Sequence, residues 1–140
     1  MITEKWENNQ DDWIYVRTKV YIEEQGFVHE FDDKEDIAQH LTIYKDGQLI
    51  GCARGYIDAD GLGLVQRITV LKAFRNQGFG KYLVKRMEDK LRSMNAEGFK
   101  LHAQQEKVSF YERLGYQAFG KADFEEFMPH QWMKKGDESV

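Results

Sequence analysis

The sequence predicts an α/β protein with a mixed central sheet flanked by helices. Three observations carry this. A strand-like run at residues 64–71 passes through a turn holding Gly78 and Gly80 into a helix-like run that reaches about Asn95. Strand and helix patterns follow in the order α, β, β, β, α, β, α, β, with room for one more short strand at 116–119. Two turn signals mark hairpins, while the later strands are separated by helices, so antiparallel hairpins and parallel crossovers share one sheet.

Residues 11–24 read as the first helix. Trp13, Val16 and Val20 form a stripe, Asp11 and Asp12 suit the positive N-terminal end, and Gly26 stops it. Residues 27–38 form a loop rich in acid, read as a solvated lid or as a wall that attracts a cationic amine. Residues 41–44 and 48–57 are strands joined at Asp46-Gly47, a good hairpin pair. A turn at 58–63 leads to the strand at 64–71. The following helix carries Phe79, Leu83, Met87, Leu91 and Met94 on one face, read as core packing. Residues 99–103 are a strand, 108–115 a short helix ended by Gly115, and about 124–133 a last strand.

The chain has 140 residues, 41% hydrophobic and 14% aromatic, which suits a single domain over 1–140 with a real core. A net charge of −4 argues against a non-specific nucleic-acid binder. The segment 72–90, with Lys72, Arg75, Lys81, Lys85, Arg86 and Lys90 against Glu88 and Asp89, reads as a local basic pocket or an ordinary solvated helix face. Cys52 has no partner for an internal disulfide and sits among apolar neighbours, so it reads as a small core residue. No signal-peptide core and no membrane-length apolar run is present, and the expected setting is the cytoplasm.

Residues 75–81 (Arg75, Asn76, Gln77, Gly78, Phe79, Gly80, Lys81) have the chemistry of an anion site. Backbone N–H groups at a helix start lack partners, and the helix dipole adds positive charge there. Glycines let a phosphate approach the backbone, and Arg75 and Lys81 add full charges. A P-loop needs Ser or Thr after Gly80-Lys81, where Tyr82 stands. A dinucleotide fingerprint needs a small residue at Leu83. What remains, Arg-x-x-Gly-x-Gly, resembles the acyl-CoA-binding motif of the GNAT N-acetyltransferase superfamily. Ser109-Phe110-Tyr111, followed by Gly115-Tyr116, resembles a second segment of that superfamily. Residues 16–25, the acidic loop, His40, Ala103-Gln104 and Pro129-His130-x-x-Met133 are similar to its YjcF/ElaA-like branch.

The resemblance implies a GNAT fold, acetyl-CoA as cosubstrate and transfer to an amine by direct attack in a ternary complex. It implies that Ile68, Thr69 and Val70 offer backbone groups to the pantetheine arm and the thioester oxygen. Residues Arg75 to Lys81 would hold the pyrophosphate, Gln104 and Phe110 would line the groove, and Tyr111 would stand near the sulfur. The other reading of Tyr111 is a core aromatic. A protonated phenol can donate to the leaving thiolate. Members of the superfamily often carry a glutamate base where this chain has Gln66, and an amide cannot take the proton. His40, His130 and Glu24 are the candidate bases, or the amine loses its proton to water. A CoA-binding module or acyl-CoA sensor with little catalysis is the alternative function. The four histidines lack metal-site spacing, so no metal is expected. The expected partner is a small, cationic amine acceptor, with no nucleic acid and no membrane; a homodimer is compatible with all of this.

Overall fold

The computed structural model describes residues 1–136. Eight strands form one sheet: β1 (Ile2–Lys5), β2 (Gln39–Lys45), β3 (Gln48–Ile57), β4 (Gly63–Val70), β5 (Gly98–Gln104), β6 (Gln117–Ala118), β7 (Asp123–Glu125) and β8 (Met128–Gly136). Their order is β1-β2-β3-β4-β5-β8-β6, with β7 also paired to β8. The helices are α1 (Gln10–Arg17), α2 (Phe79–Ser93) and α3 (Val108–Arg113). No described helix is long and apolar enough to cross a membrane.

Helices cover both faces of the sheet. On one face α2 buries Leu83, Val84, Met87 and Leu91 against Leu41, Ile43, Ile50, Val65 and Phe99. On the other, Trp13 and Val16 of α1 pack on Cys52. Two-residue alternation in β2 produces the split: Leu41 and Ile43 face α2, while Thr42 and His40 meet Asn9 and Trp13. Met94 departs from the expected stripe. It caps the end of α2 and is exposed.

Four further departures have local causes. Residues 2–5 carry too few apolar residues to signal a strand, yet they pair along the open edge of β2. The first helix does not stay α-helical to residue 24. It widens into a π-type turn over Thr18–Glu24. The last strand is two, since Glu126 takes φ 53° and turns β7 back on β8. The basic run of α2 spreads around the helix: Arg86 bonds Glu4 of β1 at 2.7 and 3.1 Å, and Lys90 lies over the Trp6 ring.

The acidic loop is not a solvated lid. Glu30 is buried and bonds Arg17 Nε at 2.7 Å and Arg67 Nε at 2.9 Å. Asp32 takes Arg54 at 2.7 Å, and Glu35 takes Arg17 at 2.6 Å and Arg54 at 3.0 Å. Three guanidinium groups neutralise Glu30, Asp32 and Glu35, which takes up much of the charge expected to attract a cationic amine. Buried ions need such pairing to avoid a large desolvation cost.

Candidate active site

β4 and β5 run parallel but pair only at Gly63↔Phe99 and Leu64↔Lys100. Beyond those residues the strands diverge. A bulge in β4 bends it further: Arg67 takes φ 54°, and the register with β3 shifts between Cys52 and Arg54. The gap is a cavity of about 1000 Å³. Backbone groups that would pair in a closed sheet open into it. The Ile68 carbonyl meets the Tyr21 hydroxyl at 3.4 Å, and the Val70 carbonyl meets Arg75 Nε at 3.0 Å. In a strand a residue's N–H points the same way as its C=O, so the N–H groups of Ile68 and Val70 face the same side.

At one end of the cavity α2 begins. Gly78, at φ 87°, is its N-cap, and no side chain caps the helix. No acidic residue stands in its first turn, so the free N–H groups and the dipole suit an anion. Only glycine holds Gly78's backbone cheaply. At Gly80 a Cβ would lie 3.3 Å from Phe110 Cζ, so the helix start and α3 close in without side-chain bulk between them. Arg75, Asn76, Gly78, Phe79, Gly80 and Lys81 all line this end, while Gln77 is exposed and outside it. Arg75 is not a bare charge at the rim. Its Nη1 and Nη2 hold Glu24 at 2.5 and 2.8 Å.

Tyr111, Phe110 and Gln104 line the middle. Burial, and to a lesser degree the neighbouring Tyr21 phenol, pushes the Tyr111 hydroxyl well above the usual tyrosine range. Tyr111 is therefore a donor at neutral pH. Tyr21 is a second phenol in the same wall. Burial and then Glu30 push it up to about 12, and it accepts from Thr69 Oγ1 at 3.0 Å. Gln104 Nε2 donates to Gln25 Oε1 at 2.8 Å, tying β5 to the end of the first helix.

The far end holds His29, Glu30, Arg67, His102, Glu125 and His130. His130 is buried, and its Nδ1 lies 2.9 Å from the Met128 carbonyl. A carbonyl only accepts, so Nδ1 carries a proton, and in the neutral ring Nε2 keeps a lone pair. His102 stands one strand over, with Nδ1 at 2.7 Å from Glu125 Oε1 and Nε2 at 2.6 Å from Asp123 Oδ1. Burial works against a charged ring there, but the bonds to Glu125 and then Asp123 outweigh it and raise the His102 pKa. Ligand-type atoms of His102, Glu125 and His130 lie within 4.8 Å of one another. The short contacts on both nitrogens of His102 are hydrogen bonds, so that ring has no lone pair left for a metal ion.

The other two candidate bases are placed differently. His40 does not line this cavity. Its ring stacks on Trp13 at 4.2 Å, and its Nε2 meets the Glu35 carbonyl at 2.9 Å. Burial lowers its pKa. Glu24 lines the cavity, but the bond from Arg75 lowers its pKa and makes it a poor proton acceptor. Gln66 lines it too, with its Oε1 committed to Arg54. Sequence reading missed Tyr21, Arg67, His102 and Glu125. The spacing His102-x-Gln104 against His130-x-Trp132 in two adjacent strands was the available signal for pairing the two histidines.

Residues 4–116 match the model of the acetyltransferase (GNAT) family. YjcF, an uncharacterized N-acetyltransferase of Bacillus subtilis, is 34% identical over 134 residues, covering 94% of this chain and 95% of that one. The crystal structure of Escherichia coli ElaA superposes with a TM-score of 0.85 at 20% identity, over 96% of this chain and 99% of that one. A PaiA N-acetyltransferase from Thermoplasma acidophilum, solved in complex with coenzyme A, superposes at 0.74 with 15% identity, over 98% and 99%. At these identities the two structures speak to the fold.

Proposed function

The chain belongs to the acetyltransferase (GNAT) family, and on that premise we propose that it moves an acetyl group from acetyl-CoA to the amine of a small cationic acceptor in a ternary complex. The observation that carries this is the cavity between the diverging β4 and β5. It joins an uncapped helix N-terminus at one end to a phenol in the middle and a histidine lone pair at the other.

The residues divide the work along that cavity. The N-terminus of α2, with Gly78, Gly80 and Lys81, takes the pyrophosphate of CoA. The exposed edge of β4 at Ile68 and Val70 bonds the pantetheine arm, and one of its N–H groups stabilises the thioester oxygen as charge grows on it. His130 Nε2 takes one proton from the acceptor's ammonium group. The neutral nitrogen then bonds to the thioester carbon, and the carbon–sulfur bond breaks. Tyr111 gives its proton to the departing sulfur, and the new amide nitrogen returns one to the phenolate. His130 releases its proton to solvent, so one proton leaves per acetyl group transferred. Tyr21 holds the β4 edge through Ile68 and Thr69.

Acetyl-CoA turnover against a panel of primary amines tests this, followed as free thiol. The expected kcat/KM rises with pH along a limb that disappears in His130→Ala. A chain that binds CoA but acetylates no amine in the panel is a binding module instead.

A further inference from the structure

We propose that Glu125 and His130 form the seat of the acceptor's ammonium group, and that His102 and Asp123 are positioning residues that hold this seat. The proposal deepens the acetyltransferase reading above and rests on it. The observation is a gap between two acceptors. Glu125 Oε2 and His130 Nε2 lie 3.7 Å apart, both on the cavity wall. Nδ1 of His130 holds a proton against the Met128 carbonyl, so in the neutral ring the lone pair of Nε2 faces a carboxylate oxygen. Two acceptors so placed call for a donor with more than one hydrogen, and an ammonium group supplies one N–H to each.

The surroundings support a cation. Glu125 keeps its other oxygen on His102, and the bond from that ring lowers its pKa. His102 donates from both nitrogens, which only an imidazolium can do. Two carboxylates and one imidazolium leave one net negative charge for the guest. Nearby charges are spent elsewhere: Arg67 on Glu30, Lys100 on Asp58 at 2.7 Å, and Glu126 on the backbone N–H groups of Val28 and His29. Arg67 still helps to keep Glu125 ionised through space. Trp132 stacks on His102 at 4.5 Å and fixes the plane of its ring. A metal ion is disfavoured because both nitrogens of His102 already bond carboxylates.

Function follows from the seat. The nitrogen arrives charged, held by Glu125. One proton passes to His130 Nε2, and the imidazolium so formed is stabilised by the same carboxylate. The bound nitrogen loses a proton without losing its partner.

Two measurements test the seat, with cadaverine as the probe in both. In NMR, cadaverine is expected to shift the His130 Cε1–H resonance of the wild type. Saturation is expected to need about tenfold more amine or beyond in E125Q, since a charge-assisted bond is lost. In kinetics, E125Q and H102N are expected to raise the acceptor KM and leave the acetyl-CoA KM unchanged. E125Q is also expected to move the His130 limb to lower pH, because the imidazolium loses its carboxylate. D123N, a near-isosteric change, is expected to weaken amine binding less than E125Q while keeping the fold. Cadaverine binding and pH limb within twofold of wild type in a folded E125Q would overturn the seat. So would stoichiometric Zn²⁺ binding that broadens the His102 and His130 signals and is abolished by E125Q. If cadaverine binds as expected and no amine is acetylated, the seat stands and the enzyme reading fails. If amines are acetylated and E125Q behaves as wild type, the enzyme reading stands and the seat fails.

Discussion

Gln66 Oε1 accepts hydrogen bonds from Nε and Nη2 of Arg54 at 3.0 and 2.6 Å. Arg54 is buried and also holds Asp32 and Glu35 of the acidic loop. The residue at the position where a catalytic glutamate is common is thus tied to a structural cation. Gln66→Glu is expected to place its carboxylate on Arg54, where the guanidinium favours the charged form and depresses its pKa. Activity at pH 7 and the pH–rate profile should stay within about twofold of wild type, below the gains of about 10²–10⁴ that a true general base brings. A large gain in kcat/KM would show that residue 66 meets the acceptor directly.

Tyr111→Phe should lower kcat by about 10²–10⁴-fold and leave the acetyl-CoA KM nearly unchanged. The hydroxyl acts on charge that exists only as the thiolate departs, so its loss belongs to the transition state. Tyr21→Phe serves as the contrast. It keeps the ring but drops the bonds at Ile68 and Thr69, so acetyl-CoA binding should suffer more than the chemical step. Equal kcat losses in both would assign the proton to neither phenol alone.

Acetyl-CoA and CoA should raise the melting temperature, with about 2.7 kcal/mol gained at a ligand concentration 100 times Kd. Gly80→Glu should erase the shift, since its side chain would enter the 3.3 Å approach to Phe110 and carry negative charge to the helix start. Arg75→Ala should weaken CoA by less than Gly80→Glu does, because Glu24 already takes two of the Arg75 donors. Differential scanning fluorimetry across a CoA titration gives both answers.

Stability should depend on pH through His102. Its folded pKa is raised, so its contribution is complete below the unfolded value of about 6.5 and fades as pH climbs through the folded value. Glu125 behaves in the opposite sense. The bond from His102 lowers its folded pKa, so its contribution is present above about 4.3 and fades on acidification. The melting-temperature difference between wild type and His102→Asn should therefore be largest from about pH 4.3 to 6.5 and shrink at alkaline pH. A difference that is flat from pH 5 to 9 would mean that His102 stabilises by packing alone.

Glu88 is a buried residue of α2, where it accepts from the Tyr116 hydroxyl at 2.8 Å and pairs Lys135 at 3.3 Å. Glu88→Ala should cost about 3–5 kcal/mol, because it removes one partner of a buried ion pair. Urea denaturation measures this directly. Glu88→Ala combined with Lys135→Met should recover much of the loss. If the double variant is no better than the single, the buried charge is not what costs.

Local rules were enough for much of this molecule. The hairpin at Asp46-Gly47 needs positive φ at both residues, which these two residue types tolerate. The stripe from Leu83 to Leu91 needs only helical spacing and a sheet to rest on. The glycine turn at 78–80 carries its chemistry in its own backbone, so the candidate anion site and the family likeness were both legible. Position across the fold was not. His40 and His130 look alike in sequence, but β2 turns one onto Trp13 and β8 turns the other into the cavity. The acidic loop looked solvated because its partners, Arg17, Arg54 and Arg67, lie on three different elements. The cavity itself depends on two strands that pair for two residues and then part. Pairing of distant strands is set by the packing of the whole sheet. No local pattern in the chain encodes where that pairing stops.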